Sequence, residues 1–280
     1  MSVRIIIDST ADVAENLRSR FTILPLTLRF GDDEYQDGVT ITSREFYEKL
    51  VESDVMPTTS QATPYQFTRV FREAVEAGDS VVALTVSSKL SGTWQSAMMA
   101  AEEFPGKVFV VDSRSVAIGS GILAEYALEL LDQGMEAEEI AMRLAQEREN
   151  VHVLAMVNTL EYLKRGGRVS KTVALAGELL SIKPVIAIRD GEVAIIGKAR
   201  GSRAANNLLV KEIENAGGVD FFKPVMLGYT GMSDAMLQKY IRDSAVLWED
   251  HLESLRTTIV GSVIGTHAGP GAVAVAFFHR

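Results

Sequence analysis

Short apolar runs alternate with helical patterns through the first half of the chain, and this alternation limits the fold more than any other feature. Residues 81–86 and 108–112 are apolar without a break, which is typical of strands covered on both faces. Apolar side chains at helical spacing precede them in residues 67–75. Strands that alternate with helices form a mostly parallel sheet with helices on both faces. The sequence therefore predicts an α/β fold, and residues 152–157 are expected to add a strand to this part. Residues 21–30 are expected to form one strand, and Thr42 and Glu45 form a capping-box pattern that predicts the start of a helix.

The pattern changes after residue 158. Residues 170–180 are expected to form a helix. Asp190-Gly191 lies between two apolar runs and is a strong hairpin signal, and helix and strand patterns then follow in mixed order. Residues 1–158 carry a net charge of −12, whereas residues 159–280 carry +3. Such a shift in charge favours two domains. We therefore predict an N-terminal α/β domain (1–158) and a C-terminal mixed α/β domain (159–280).

A small-residue loop around His267 leads into the apolar run 272–278. This run is expected to pair inside a sheet, which would place His267 at a strand edge close to backbone amides. Three other loops have similar chemistry, with hydroxyls, exposed amides or arginines: 58–61, 87–93 and 165–168. Together the four loops favour a site for a small anion, carboxylate or phosphate.

Composition excludes several classes of function. The chain is 47% hydrophobic and 23% charged, as expected of a globular protein with a large core. It has no cysteine, so disulfides, thiolate metal sites and cysteine nucleophiles are excluded, and a cytoplasmic location is expected. The net charge of −9 argues against binding to nucleic acid. No run reaches the ~18 apolar residues of a spanning helix, and residues 1–8 are too short for a signal peptide.

The loop Ser91-Gly92-Thr93 follows a buried strand and precedes a helix. Ligands of open α/β sheets bind at the carboxyl ends of strands, and free amides at a helix start attract anions. Ser91 could equally be a simple helix cap. The pair Thr59 and Ser60 is a weaker signal, because loops rich in serine and threonine are common.

Ser91 and His267 leave a second chemistry open. A hydrolase nucleophile elbow needs Gly-x-Ser-x-Gly, but Lys89 stands two positions before Ser91. A serine–histidine pair that acts as an acyl hydrolase therefore stays as an alternative. No histidine–carboxylate spacing typical of metal sites is present, so no metal is predicted. The chain also lacks a P-loop and a dinucleotide-binding motif.

Two groups of basic residues have two open interpretations. They could be solvated faces, or they could bind an acidic partner or a phosphate. The first group spans eight residues without an acid and comprises Lys164, Arg165, Arg168 and Lys171. The second group comprises Lys198, Arg200 and Arg203.

Six motifs occur in a fixed order along nearly the whole chain. They are IIIDSTAD (5–12), TSQ (59–61), SGTWQSA (91–97), VDS (111–113), LEYLKRGGR (160–168) and GTHAGPG (265–271). In this order they resemble the DegV family, the fatty-acid-binding proteins that include the FakB subunits of bacterial fatty acid kinase.

This resemblance implies a site. One long-chain fatty acid, such as palmitate or oleate, would lie in a tunnel between the two domains. Its carboxylate would be held by Thr59 and Ser91, with His267 close by and Arg200 near the head group. The residues expected to support these loops are Ser60, Gly92, Thr93 and Thr266.

The resemblance also implies a role. The protein would be a carrier rather than an enzyme, without a cofactor, and it would present the carboxylate to a separate ATP-dependent kinase that forms an acyl phosphate. From its charge, we expect the first basic group to dock this kinase, and we expect transient membrane contact to allow lipid exchange. A weaker alternative is a lipid sensor that regulates another protein.

Overall fold

A computed structural model of the protein describes residues 2–169, 182–248 and 250–280. The strands of this part are β1 (Val3–Asp8), β2 (Thr22–Leu24), β3 (Thr27–Phe30), β4 (Asp33–Gln36), β5 (Thr58–Ser60), β6 (Ser80–Thr85), β7 (Val108–Asp112), β8 (Val151–Met156), β9 (Ile182–Arg189), β10 (Glu192–Arg200), β11 (Met226–Tyr229), β12 (Arg256–Ile259) and β13 (Val273–Phe278). Its α-helices are α1 (Ser43–Glu52), α2 (Pro64–Glu76), α3 (Thr93–Ala101), α4 (Ile118–Asp132), α5 (Ala137–Glu147), α6 (Glu161–Arg165), α7 (Gly201–Asn215), α8 (Ala235–Asp243), α9 (Ala245–Trp248) and α10 (Ser262–Ala268).

A four-stranded parallel sheet has the strand order β2–β1–β6–β7. One of its faces packs against α2 and α3, where Ile6 and Val81 meet Phe71. The other face packs against α4 and α5, where Ile7 belongs to the same core as Ile122. This arrangement confirms the predicted α/β class, with a parallel sheet covered by helices on both sides.

A six-stranded mixed sheet has the order β10–β9–β8–β13–β11–β12. The apolar run after His267 forms β13, which lies between β8 and β11 and is antiparallel to both. The prediction that this run pairs inside a sheet is confirmed. The parallel sheet had been expected to include β8, and this was wrong, because β9 and β13 cover its two edges. An apolar strand suits either sheet, so its own sequence does not select the partner. The domain boundary near residue 158 stays a prediction.

A small antiparallel sheet has the order β4–β3–β5. Residues 21–30 had been expected to form one strand, but they divide at Pro25 into β2 and β3, which belong to different sheets. Proline has no amide hydrogen to donate to a sheet, and the next amide, of Leu26, donates to Ser9 Oγ at 3.1 Å. The segment around Thr59 had been expected to be a loop. It forms β5, in which Thr59 pairs with Leu28.

His267 lies in a helix rather than in a loop. The helix α10 begins after Gly261, whose amide donates to Asp12 Oδ1 at 2.8 Å. The next amide, of Ser262, donates to Asp37 Oδ1 at 3.2 Å. These two buried carboxylates fix the start of α10 and thereby place His267 in its last turn.

The described part of the chain holds no helix long and apolar enough to cross a bilayer. Within the same ranges no three histidine or carboxylate side chains are grouped to hold a metal ion. The helix expected at 170–180, and with it Lys171, lies outside the described residues.

Candidate functional site

A cavity of about 400 Å³ lies between the six-stranded sheet and the loops that follow β5 and β6. Its volume falls within the ~300–1,000 Å³ of small-molecule sites. Aliphatic side chains of the sheet form one wall, and residues of α10 such as Val263 and Ile264 form part of the other. The cavity is therefore a largely apolar container with its polar groups confined to a few positions.

The wall formed by the sheet follows from the alternation of side chains along β8. Val153, Ala155 and Val157 line the cavity, because alternate residues of a strand point to the same face. Leu154 and Met156 between them belong to the core on the opposite face. The sequence of this strand thus supplies the ligand wall and a structural core at the same time.

Small side chains form a trough in this wall, which we define by Ala155, Ala272 and Ala274. Ala155 pairs with Ala274 across β8 and β13, and Ala274 pairs with Gly228 on β11. A Cβ on Gly228 would lie 3.1 Å from a methyl carbon of Ile118, so this glycine allows α4 to approach the sheet. Methyl side chains in the middle of the sheet leave the space that a ligand needs.

Four side chains form what we call the polar end of the cavity: Thr59, Ser91, Arg168 and His267. Thr59 Oγ1 lies 2.9 Å from His267 Nε2. Ser91 Oγ lies 2.9 Å from Thr93 Oγ1 and also accepts the amide of Thr93 at 3.3 Å. The structure therefore brings together three of the four residues predicted to hold a carboxylate.

Burial controls the charge of His267. Together with the smaller effect of the nearby Arg168 guanidinium, it lowers the pKa of this imidazole from 6.5 to about 4. His267 is therefore neutral at neutral pH. Its Nδ1 atom is buried and has no hydrogen-bond partner in the described part of the chain. A Cβ on Gly166 would overlap this atom, so the glycine allows the backbone to approach the ring.

Arg168 lines the cavity, although it had been expected to dock a partner. Its Nε donates to the Leu90 carbonyl oxygen at 3.1 Å, and its Nη1 donates to the Gly166 carbonyl oxygen at 2.6 Å. Two backbone oxygens thus hold the guanidinium, and no carboxylate within the described ranges pairs with it. Its positive charge remains available to a ligand.

Arg200 had been chosen as the arginine near the head group. It is exposed at the end of β10, where it precedes α7, and it is not among the residues that line the cavity. The structure does not bring it together with Thr59, Ser91 and His267. Arg168 occupies that place because its backbone follows α6, which packs against α10.

The supporting residues divide into two groups. Ser60 and Gly92 line the cavity, whereas Thr93 and Thr266 are buried beside it. Thr93 bonds to Ser91, and Thr266 Oγ1 donates to the Ser262 carbonyl oxygen within α10 at 3.0 Å.

Sequence reasoning missed Gln61, which also lines the cavity and donates to Ser96 Oγ at 2.9 Å. A Cβ on Gly92 would overlap the Gln61 amide. The signal was present in the sequence, because Gln61 stands two positions after Thr59 and Gly92 adjoins Ser91.

Two other members of the first basic group, Lys164 and Arg165, are not among the residues that line the cavity. Arg165 is exposed, and its Nε lies 2.7 Å from Glu161 Oε1 in an ion pair one helical turn apart. Lys164 is half-buried.

Ser91 and His267 do not form a catalytic pair in this geometry. The Ser91 hydroxyl bonds to Thr93, and His267 Nε2 bonds to Thr59. No carboxylate of the described residues orients His267 Nδ1. The arrangement suits the binding of a carboxylate better than the activation of a nucleophile, which needs a base in contact with the serine and a group that orients this base.

Several known proteins are similar to this chain in sequence and in fold. A DegV domain-containing protein of Caldanaerobacter subterraneus is 34% identical over 280 residues, which cover 98% of each chain. A solved DegV family protein from Thermus thermophilus, described by its fatty acid binding, superposes with a TM-score of 0.89 at 34% identity and full coverage of both chains. A fatty-acid-binding DegV protein from Streptococcus agalactiae has a TM-score of 0.85 at 26% identity and covers 100% of this chain and 99% of its own.

The sequence profile described as "Uncharacterised protein, DegV family" matches residues 2–280. The order of the motifs, the two large sheets and the cavity between them all agree with this match. The chain belongs to the DegV family.

Proposed function

We propose that the protein binds one long-chain fatty acid, with its carboxylate at the polar end and its acyl chain along the trough. The observation that carries this proposal is a cavity of about 400 Å³ whose walls are mainly aliphatic. Its polar groups include the hydroxyl, imidazole and guanidinium groups of the polar end. The fatty acid binding described for similar proteins of Thermus thermophilus and Streptococcus agalactiae supports it.

The head group would meet mostly neutral donors. The hydroxyls of Thr59 and Ser91 can donate to a carboxylate, and neutral His267 can donate from one ring nitrogen. Arg168 supplies a positive charge that two backbone oxygens already hold in position. Each buried methylene contributes about 0.8 kcal/mol, so the acyl chain provides most of the affinity and the head group provides its orientation.

Native mass spectrometry of the purified protein tests the proposal, followed by extraction and identification of the bound lipid. We expect one fatty acid per chain. A protein that carries no lipid and also fails to take up added palmitate or oleate would contradict it.

We further propose that the protein is a cytoplasmic carrier that presents this carboxylate to a separate ATP-dependent fatty acid kinase. The sequence resemblance supports this role, and the chain itself has no P-loop for ATP. Transient contact with a membrane would allow exchange of lipid. The kinase would transfer a phosphoryl group from ATP to the carboxylate, which yields an acyl phosphate and ADP.

Arg165 and Arg200 are exposed members of the two basic groups that can be tested as contacts for this kinase. Reversal of charge in Arg200→Glu should weaken coupling to the kinase and leave the affinity for fatty acid unchanged. Equal loss of kinase coupling and of fatty acid affinity would indicate that Arg200 contacts the head group, as the resemblance implied. The assay measures acyl phosphate formed with ATP and the purified kinase from the same organism, alongside direct lipid binding.

The acyl hydrolase remains testable with the protein alone. It predicts turnover of an activated ester that is lost in Ser91→Ala. Because neither Ser91 nor His267 has the partner that such a mechanism needs, we expect no turnover above buffer.

A further inference from the structure

A second cavity, of about 380 Å³, lies behind the sheet wall of the first. Val153, Ala187 and Ile188 line both cavities. The two spaces are therefore separated by a wall only one side chain thick. This wall stands away from the polar end, and none of the four polar-end residues lines the second cavity.

The second cavity lies where two strands separate. The pairing of β8 with β9 ends at Leu154 and Ala187. Beyond this point β8 continues beside β13, where Val153 pairs with Ala276, and β9 continues beside β10, where Ile188 pairs with Val193. The two strands diverge, and no backbone hydrogen bonds between them close the sheet there. The side chains of Val153 and Ile188, which line both cavities, lie at this opening.

Arginine and carboxylate side chains line the second cavity in equal numbers. Arg114 lies 2.8 Å from Glu149, to which Arg148 also pairs, and Arg189 pairs with Glu212 at 3.7 Å. Such a lining has no excess charge to attract an ion. It offers many donors and acceptors to a neutral hydrogen-bonding group, whereas a hydrocarbon end would gain little from it.

We propose that the distal end of the ligand passes between Val153 and Ile188 into the second cavity, and that the protein accepts long-chain fatty acids with a neutral polar group, such as a hydroxyl, at that end. This inference rests on the proposed binding of a fatty acid carboxylate at the polar end. It deepens that function because it names a class of substrate that an entirely apolar tunnel would reject.

Competition with a fluorescent fatty acid tests the inference on the unmodified protein, with palmitate, ω-hydroxypalmitate and the ω-carboxy analogue as competitors. We expect ω-hydroxypalmitate to bind within about threefold of palmitate, because a hydroxyl buried without a partner would weaken binding by about tenfold or more. The ω-carboxy analogue should bind more weakly than the ω-hydroxy acid. If the ω-carboxy analogue bound more tightly than the ω-hydroxy acid, the inference that the distal group is neutral would be wrong.

A pair of matched variants locates the distal group. Ala216, the residue that follows α7, lines only the second cavity, and Ala77 follows α2 with nearly the same backbone angles and lines neither. Ala216→Phe should fill the second cavity and weaken the binding of ω-hydroxypalmitate about tenfold, while the affinity for palmitate stays unchanged. Ala77→Phe should change neither. Equal effects on both ligands in Ala216→Phe, or no effect on either, would overturn the inference.

The two proposals fail separately. If the unmodified protein does not bind palmitate, the proposed function is wrong. If it binds palmitate but binds ω-hydroxypalmitate more than about tenfold more weakly, as an unpaired hydroxyl requires, only the second cavity's role is wrong.

Discussion

The trough and the polar end belong to the same cavity but are built in different ways. Adjacent strands of one sheet supply the trough, through Ala155 on β8 and Ala272 and Ala274 at β13. Separate segments of the chain supply the polar end, and its contacts are single hydrogen bonds such as that between Thr59 and His267. One sheet thus provides apolar area, and separate segments of the chain provide direction. Affinity and orientation can therefore be changed independently.

Filling the trough should have the largest effect. Ala274→Leu adds three carbons on the cavity face and would displace roughly three methylenes of the ligand, which weakens binding about 50-fold. The measurement is the dissociation constant for palmitate. Ala194 is a half-buried alanine on β10 that does not line the cavity, so Ala194→Leu is the control. Unchanged palmitate affinity in Ala274→Leu would show that the acyl chain lies elsewhere.

Removing the charge at the polar end should come next. Arg168→Met keeps a long apolar stem but loses the guanidinium, and we expect about 30-fold weaker binding of the free acid, since hydrogen bonds to charged groups contribute about 1.5–3 kcal/mol. Binding of the methyl ester should change little. The exposed Arg165, changed to Met, is the control. An equal loss for acid and ester would mean that Arg168 acts through packing and not on the carboxylate.

The pKa values of two histidines allow a direct comparison of the polar end with the second cavity. Burial lowers the pKa of both His267 and His152 to about 4, and His152 lines the second cavity. A carboxylate bound at the polar end should raise the pKa of His267 by about one unit and leave that of His152 unchanged. NMR titration of the ring protons with and without palmitate measures both. If the pKa values of both histidines changed equally, the proposed position of the carboxylate at the polar end would be contradicted.

The same pKa values predict how stability depends on pH. Because the unfolded chain takes up protons near 6.5 and the folded histidines only near 4, the free energy of unfolding should fall as the pH drops through this window. His267→Gln should reduce this slope. Urea unfolding at several pH values measures it, and a slope unaffected by the substitution would rule out His267 as its source.

The smallest effect concerns how the polar end is held. Gly166→Ala would push the His267 ring away. Loss of the hydrogen bond between this ring and Thr59 should weaken the binding of palmitate about fivefold, as expected for one neutral hydrogen bond. Gly197→Ala provides the control, because its Cβ would meet only the tip of Leu208 at 2.5 Å. If both variants weakened palmitate equally, the loss would reflect general strain.

The fold class could be predicted from the sequence because the alternation of strands and helices is local. The helix α1 shows this well, since Thr42 and Glu45 form the expected capping box. The place of β8 could not be predicted, because its partners follow it in the chain and no residue within it selects them. The break at Pro25 was visible in the sequence, but it was outweighed by the apolar residues on either side.

The site was only partly predictable for the same reason. Thr59, Ser91 and His267 were identified through the resemblance, and the structure places all three on one cavity. Arg168 lines the cavity and Arg200 does not, contrary to expectation, because the sequence shows a cluster of charge but not the direction of each side chain. Ala155 and Ala274 carried no signal of their own until the pairing of β8 with β13 placed them opposite each other.

The position of β8 also bears on how the chain is made. During synthesis β8 emerges before both of its neighbours, β9 and β13. Until residues 273–278 have left the ribosome, one edge of this apolar strand has no partner, and open edges of this kind promote pairing with other chains. The four-stranded sheet is complete in sequence by Asp112 and can fold much earlier. Chaperones should therefore be needed to protect the nascent chain mainly while its second half is being synthesised.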